Sequence, residues 1–356
     1  MAYIELDRKK LKQNFDYLDE LFRKNDIQLS VVTKMLCGNK LFLTELLKLD
    51  ISQVCDSRVS NLKTIKSIKP DIETIYIKPP AKRAVKSVVQ YADISVNTEV
   101  RTIKLLSEEA GRQGKKHKIL IMIELGELRE GIMGEDFMAF YEEVFRLDNI
   151  EVVGIGTNLT CLYGVLPNHD KLIQLCLYEQ LVEAKFNRHI PYVSGGSSVT
   201  IPLIFEKLLP KGINHFRVGE TLFLGTDLFN NTTIDKMNSD VFKLYAEIIE
   251  LSEKPQVPIG EMGQNVEGET FEFSDKDAGK RSYRAIVDMG LLDVEQSHIK
   301  PVDQEVSMVG ASSDMFVMDL GDNQQDYKVG DLLEFEMDYM GVLRAINSRY
   351  IDKRVK

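Results

Sequence analysis

The chain has 356 residues, of which 44% are hydrophobic and 28% are charged, and its formal net charge is −10. This composition is typical of a globular protein with an ample core. Because phosphates and anionic lipids repel a negatively charged protein, we expect neither a nucleic-acid partner nor a membrane partner. The four cysteines show no metal-ligand spacing and no disulfide framework, and the first residues show no targeting pattern. We therefore expect a cytoplasmic protein without a metal site.

Eight short β-branched runs punctuate the first two thirds of the chain. They lie at residues 29–33, 51–55, 73–77, 93–96, 118–123, 151–155, 191–193 and 215–218. Segments between them, such as residues 8–24 and 98–112, carry apolar residues at the three- and four-residue steps of a helix. Strand and helix thus alternate eight times, a pattern that predicts a (β/α)8 TIM-type barrel.

The pattern changes after about residue 225, where short strand-like runs are separated by turn residues. This change predicts a β-rich C-terminal domain behind the barrel. An early run at residues 3–6 precedes the first helix and is not needed by the barrel. We therefore expect a barrel over residues 8–230 and a β-rich domain formed by residues 1–7 with 231–356.

Residues suited to chemistry follow these strands, at the end where the catalytic face of such a barrel lies. Lys34 ends the first strand, and a lysine amine there can act as a nucleophile or base, although most lysines are solvated surface residues. Residues 194–198, Ser-Gly-Gly-Ser-Ser, follow strand seven and Gly219 follows strand eight, where these barrels often bind phosphate. A phosphate cradle beside a lysine amine is what pyridoxal 5'-phosphate requires.

Three further polar residues have possible roles beside such a cofactor. Arg217, on strand eight, would keep the pyridine nitrogen unprotonated and so favour brief carbanion chemistry such as racemisation. The alternative is a buried arginine that ties strand eight to a carboxylate. Arg129 offers a planar fork for a substrate carboxylate, and Asn158 could hydrogen-bond the phenolic oxygen of the cofactor.

The ordered combination of these segments resembles the alanine/ornithine racemase family of fold-type III pyridoxal phosphate enzymes. The resemblance runs over essentially the whole chain and implies a homodimer in which each active site borrows residues from the partner's β domain. The segments that carry it are residues 4–7, 32–38, 129–131, 154–158, 194–198, 216–220 and 310–314, with Tyr339 and residues 348–350.

The resemblance implies that Lys34 is the Schiff-base lysine and one of two racemising bases. It also implies that Arg217 contacts the pyridine and that Arg129 lies on the carboxylate side of the substrate. Position and resemblance together predict a larger set of cofactor-binding residues: Lys34, Asn158, Ser194, Gly196, Ser197, Ser198, Arg217, Gly219, Glu220 and Tyr339.

Two departures from alanine racemases leave the second, opposite-face base undecided. Alanine racemases have a tyrosine a few residues after the lysine, where residues 35–38 here read Met-Leu-Cys-Gly. They also supply a tyrosine from the C-terminal domain, where residues 258–264 here contain none. The candidates are Tyr283, Ser313, Asp314 and Tyr339, of which we predict Tyr283 and Asp314 as catalytic.

The departures favour ornithine or another basic amino acid as the substrate, ahead of alanine or serine. Two alternatives remain open: a pyridoxal-phosphate-dependent decarboxylase of a basic amino acid, and a non-catalytic pyridoxal phosphate homeostasis protein. Arg217 argues against the decarboxylase, which usually protonates the pyridine nitrogen through an acid. The predicted β domain argues against the homeostasis protein, which resembles the barrel alone.

Overall fold

The computed structural model describes residues 1–264, 268, 270, 272–274 and 277–356. The chain divides into two units, one formed by Arg8–Ser239 and the other by Met1–Asp7 with Asp240–Lys356. Within the described residues, no helix is both long enough and apolar enough to cross a membrane.

The unit Arg8–Ser239 contains a barrel of parallel strands, and the strand β1 (Tyr3–Leu6) precedes it in the chain. The sheet order is β8-β7-β6-β5-β4-β3-β2-β10-β9, and each predicted run forms a strand, so the predicted barrel is confirmed. The strands are β2 (Gln28–Val32), β3 (Gln53–Asp56), β4 (Glu73–Tyr76), β5 (Ile94–Asn97), β6 (His117–Met122), β7 (Ile150–Gly156), β8 (Tyr192–Ser194), β9 (Gly196–Ser197) and β10 (His215–Val218).

The seventh barrel strand is divided at Gly195. Its first part, β8, pairs with β7, and its second part, β9, pairs with β10. Packing explains the two glycines: a Cβ at Gly195 would lie 2.8 Å from the Ile213 side chain, and one at Gly196 would lie 2.1 Å from the Phe216 ring. Close packing therefore requires glycine at both positions.

Helices surround the barrel strands and bury their apolar stripes. In α1 (Arg8–Arg23) the buried side chains recur at helical spacing, as predicted. The others in this unit are α2 (Lys40–Leu46), α3 (Val59–Ile68), α4 (Val85–Tyr91), α5 (Val100–Arg112), α6 (Phe137–Val144), α7 (His169–Phe186), α8 (Pro202–Phe205) and α9 (Glu220–Leu224).

A short hairpin keeps the chain after α9 attached to the barrel unit. Its strands are β11 (Thr226–Asp227) and β12 (Thr232–Thr233). Further along, the Asn14 side chain donates to the Asn238 carbonyl at 2.9 Å and accepts from the Asn238 amide at 2.7 Å. These bonds explain why the division between the units falls at Ser239.

The second unit is built on antiparallel strands, and the predicted β-rich C-terminal domain is confirmed. Its main path is β15-β18-β13-β14-β17-β16, and β1 lies between β13 and β19. The elements are β13 (Phe242–Pro255), β14 (Arg281–Val287), β15 (Ile299–Pro301), β16 (Ser307–Ala311), β17 (Phe316–Asp319), β18 (Leu332–Met337), α10 (Tyr339–Asn347) and β19 (Asp352–Val355).

Polar as well as apolar side chains are buried on the barrel strands. Two of them are histidines: His117 Nε2 lies 2.8 Å from Ser95 Oγ, and His215 Nδ1 lies 2.6 Å from Ser194 Oγ. Burial lowers the pKa of His117 to about 4. Burial, helped by the positive charge of Arg217, lowers the pKa of His215 to about 3. Both imidazoles are therefore neutral at physiological pH.

We predict that the free energy of unfolding falls as the pH drops from 7.5 to 5. Both folded-state pKa values lie below the ordinary 6.5, so the unfolded chain takes up protons first and acid favours unfolding. At pH 5 each histidine accounts for about 2 kcal/mol of lost stability. Denaturant unfolding at the two pH values measures this loss, which His117→Gln and His215→Gln should each reduce. Equal pH dependence in all three proteins would contradict the assignment.

Candidate active site

The turn that carries Lys34 is held by a hydrogen bond from Thr33 to the buried carboxylate of Asp56. Strand β2 ends at Val32, and Lys34 opens a short 3-10 helix, Lys34–Leu36, with its side chain exposed. Thr33 Oγ1 donates to Asp56 Oδ2 at 2.8 Å, and Asp56 also accepts from the Asn61 side chain at 3.1 Å. Burial raises the pKa of Asp56, while these donors oppose the rise. Asp56 therefore positions the lysine turn and is not solvated.

Closure of the barrel brings the Lys34 turn beside the loop after the last strand. Strands β2 and β10 are neighbours in register, with Val31 opposite Val218. A Cβ on Gly219 would lie 3.1 Å from the Val32 side chain, so the two strand ends pack closely. Lys34 and Gly219 thus lie just beyond the ends of adjacent strands.

The loops after strands seven and eight are joined to each other. Ser198 Oγ accepts a hydrogen bond from the Thr221 amide at 3.3 Å, across the two loops. Ser197 caps the short helix that follows it, in a reciprocal pair of bonds with Thr200. Gly219 precedes α9, whose first residue is the half-buried Glu220. The predicted phosphate-binding residues Ser197, Ser198, Gly219 and Glu220 therefore lie on two connected loops.

Arg217 lies inside the barrel, and neutral oxygens receive its hydrogen bonds. Its Nη1 donates to the Ser194 carbonyl at 3.0 Å and also to Ser194 Oγ. Its Nη2 donates to the Thr157 carbonyl at 2.7 Å. Burial lowers the pKa of Arg217. The alternative in which this arginine ties strand eight to a carboxylate is not what the structure contains.

Ser194 and Gly196 occupy buried positions next to this arginine. The Ser194 hydroxyl lies between Arg217 and His215, and Gly196 packs on the Phe216 ring. Both were predicted to bind cofactor. The structure places the Ser194 hydroxyl in hydrogen-bond contact with the Arg217 guanidinium.

Arg129, Glu130 and Asn158 form a polar cluster on the loops after β6 and β7. Arg129 donates to both carboxylate oxygens of Glu130, with its Nη2 at 2.7 Å from Oε1. Asn158 Nδ2 donates to the same Oε1 at 3.2 Å and lies 3.4 Å from Cys161 Sγ. Burial opposes the charge of Arg129, but Glu130 outweighs it, so the pKa of Arg129 is raised. The arginine predicted to grip a substrate carboxylate already binds a carboxylate of its own chain.

Two glutamates shape these loops through backbone hydrogen bonds. Glu124 accepts from the amides of Gly126 at 2.6 Å and Arg129 at 3.1 Å. Glu127 accepts from the amides of Tyr163 and Val165, both at 3.0 Å. Burial opposes the ionisation of Glu127, but the backbone donors outweigh it and lower its pKa. These carboxylates hold the loops that present Arg129 and Asn158.

The same end of the barrel offers polar atoms that suit a bound ligand. Among the described residues, Thr157 Oγ1 and Asn97 Oδ1 are buried without a hydrogen-bond partner. Thr157 directly follows β7 and Asn97 ends β5, so both lie where barrel strands open to the catalytic face. An amine, a donor-only guanidinium and two connected loops, one rich in serine and glycine and the other opening with Gly219, accompany them. This donor set fits the phosphate, the ring and the aldehyde carbon of pyridoxal phosphate.

The predicted residues of the C-terminal unit lie apart from one another. Tyr283 is on β14, where its carbonyl accepts from the Leu320 amide at 2.9 Å. Asp314 is exposed in the turn between β16 and β17, beside Gly290 at the far end of the β14–β17 ladder. Strand geometry puts these ends about 20 Å apart. Tyr283 and Asp314 therefore do not belong to one cluster of side chains within this unit. Tyr339 is the first residue of α10.

The polar residues that lie within strands or beneath the loops were not predicted from the sequence. Glu130 adjoins Arg129 in the sequence, but no role was predicted for it. Gln53 and His215 are the buried polar first residues of β3 and β10. His215 and Arg217 are two residues apart on β10 and so point to one side of it.

Comparison with known proteins gives consistent matches. The chain is 39% identical over 353 residues to an ornithine racemase of Acetoanaerobium sticklandii, covering 99% of each chain. It is 31% identical over 348 residues to a lysine racemase of Thermotoga maritima, covering 98% of this chain and 96% of that one. The fold is similar, with a TM-score of 0.75 and 15% identity, to an alanine racemase of Bartonella henselae with covalently bound pyridoxal phosphate, over 100% and 99% of the two chains. The family model described as "Alanine racemase, N-terminal domain" matches residues 6–227. The chain belongs to this family.

Proposed function

We propose that this chain is a pyridoxal-phosphate-dependent racemase that interconverts the L and D forms of ornithine or another basic amino acid. The observation that carries the proposal is the β2–β10 closure, which sets the Lys34 turn beside the Gly219 loop and Arg217. The names of the two relatives, an ornithine racemase and a lysine racemase, support the choice of a basic substrate.

The proposed cofactor contacts come from the two connected loops and from the barrel interior. Ser197, Ser198, Gly219 and Glu220 would hold the phosphate, with the Ser198–Thr221 bond fixing the loops. Asn158 would face the phenolic oxygen. Bound pyridoxal phosphate withdraws electrons from the substrate and makes its Cα proton acidic.

Arg217 would face the pyridine nitrogen and decide which chemistry is favoured. A guanidinium only donates hydrogen bonds, so it leaves that nitrogen unprotonated. Its two bonds to carbonyl oxygens, at 3.0 Å and 2.7 Å, support this role because they fix the guanidinium inside the barrel. This arrangement supports reversible proton transfer and argues against decarboxylation.

Proton transfer at Cα is assigned to Lys34 on one face. Its Nζ would remove the Cα proton on that face or return it. The opposite face needs a second group, for which Tyr283 and Asp314 remain our candidates, with Tyr339 as a further cofactor contact. Tyr283 and Asp314 lie at opposite ends of one strand ladder. One C-terminal unit can therefore contribute only one of these two side chains to a given active site.

Lys34→Ala should abolish exchange of the substrate Cα proton. Holoenzyme is incubated with single enantiomers of ornithine, lysine, arginine, alanine and serine in heavy water, following optical rotation and Cα deuteration. We expect exchange of the Cα proton with basic amino acids in the wild type. In Lys34→Ala the exchange rate should fall at least about a thousandfold, because the amine is the proton carrier. In the control Lys40→Ala, whose exposed lysine opens α2, the exchange rate should not change.

Absence of exchange with every amino acid would refute the racemase. Release of carbon dioxide would point to the decarboxylase instead. Retained cofactor absorbance without any exchange would point to the homeostasis protein.

Arg129→Lys should raise KM for the substrate about tenfold, because lysine lacks the planar fork that binds a carboxylate through two parallel bonds. Steady-state kinetics with ornithine measures the change. Arg101→Lys, at an exposed position on α5, is the matched control and should leave KM unaltered. An unchanged KM in Arg129→Lys would show that the Arg129–Glu130 pair is structural only.

We further propose that the protein is a cytoplasmic homodimer whose sites combine residues of two chains. The location is supported by four free cysteines, which suit a reducing compartment. The dimer would supply the opposite-face group from the partner's C-terminal unit.

Mixing two inactive variants tests this shared site. Lys34→Ala and Tyr283→Phe are each expected to be inactive, yet their mixed dimers regain one complete site. Random re-association would restore about a quarter of the wild-type activity. Asp314→Asn in place of Tyr283→Phe tests the other candidate. No recovery with either variant, or a sedimentation mass of 40.6 kDa, would contradict the shared dimer.

A further inference from the structure

A continuous line of hydrogen bonds runs through the barrel interior from Arg217 to Glu73. Arg217 Nη1 donates to Ser194 Oγ, which lies 2.6 Å from His215 Nδ1. His215 Nε2 lies 2.7 Å from Gln53 Oε1, and Gln53 Nε2 donates to Glu73 Oε2 at 2.6 Å. Ser194 and His215 are fully buried, and Gln53 is 1% exposed, so bulk water does not compete for these bonds. We call these five residues the Arg217–Glu73 relay.

The two ends of the relay fix the direction of every bond in it. The ionised Glu73 carboxylate only accepts, so Gln53 turns its amide nitrogen to it and its oxygen to His215. His215 must then carry its hydrogen on Nε2 and accept at Nδ1. The Ser194 hydroxyl therefore donates to Nδ1, and its oxygen accepts from Arg217, which only donates. All donors point from the cation to the anion.

The relay connects opposite ends of the barrel. Arg217 lies near the carboxyl end of β10, while Gln53 and Glu73 are the first residues of β3 and β4. The Glu73 side chain is 29% exposed there, with Lys118 Nζ 3.5 Å away. A charged group far from the catalytic face is thus bonded, through buried side chains, to the guanidinium at that face.

We propose that Ser194, His215, Gln53 and Glu73 are positioning residues that orient Arg217 and offset its buried charge through the relay. Aligned hydrogen bonds polarise one another, so the Glu73 charge strengthens each bond back to Ser194. Removal of that charge loosens the orientation of Arg217 although Glu73 does not touch the site. The effect on turnover rests on the proposed function, whereas the tautomer of His215 does not.

The groups around His215 agree with its neutral state. Arg217 lies on the same strand, Tyr192 packs its ring at 4.9 Å, and Gln53 separates His215 from Glu73 and Lys118. Burial and the Arg217 charge together lower the pKa of His215. A neutral ring with one donor and one acceptor is what the relay requires.

The tautomer of His215 tests the relay without any turnover. Nitrogen NMR of labelled holoenzyme, assigned by loss of the signal in His215→Gln, should show a protonated Nε2 and an unprotonated Nδ1 from pH 8 to 6. In Glu73→Gln the terminal amide can donate as well as accept, so the direction is no longer fixed and the Nδ1-protonated form should appear. Glu73→Asp retains the charge and should retain the wild-type tautomer.

Glu151→Gln is the matched control for the charge change. Glu151 is exposed near the start of β7, opposite Lys118 in register, at the same end of the barrel. We expect kcat to fall about tenfold in Glu73→Gln with KM changed less than twofold, and neither to change in Glu151→Gln. The absorbance of the bound cofactor should shift only in Glu73→Gln.

Each result bears on a different claim. A His215 that titrates at its ordinary pH, or a Glu73→Gln protein that matches Glu151→Gln in tautomer and in kcat, would overturn the relay. A wild-type protein that holds the fixed tautomer but exchanges no Cα proton would support the relay and refute the proposed racemase.

Discussion

The register between β2 and β10 is the constraint on which the rest of the site depends. Val31 opposite Val218 sets the lysine turn and the last barrel loop side by side, and Gly219 lies close to Val32, with little room for a larger side chain. Because strand seven is divided at Gly195, its first part pairs with β7 and its second part pairs with β10, which closes the barrel. A lysine amine, an arginine and two connected loops thereby lie at one end of the barrel.

The buried charge of Arg217 shapes what that end of the barrel can do. A guanidinium removed from water is costly unless its donors are satisfied, and here carbonyl oxygens and a serine hydroxyl satisfy them. The proposed chemistry follows from its being a donor only, which suits proton exchange at Cα. The hydrogen bonds of His215, Gln53 and Glu73 continue from Ser194 to the other end of the barrel.

Strand–helix alternation and residues placed after strands were readable from the sequence, which is why the barrel, the Lys34 turn and the serine-glycine loops were predicted. The roles of Gln53 and His215 were not, because the partner of a polar residue at the start of a barrel strand is not visible until the barrel closes. The packing of Gly196 on Phe216 depends on strand register, which sequence leaves open. For the same reason the separation of Tyr283 from Asp314 could not be foreseen.

The central claim is that Lys34 bears the reactive amine beside the cofactor cradle. Borohydride reduction of the holoenzyme fixes pyridoxal phosphate to the lysine that holds it, and peptide mass spectrometry then locates the adduct. We expect the adduct on Lys34, with none formed in Lys34→Ala. An adduct on another lysine of the wild-type chain would contradict it.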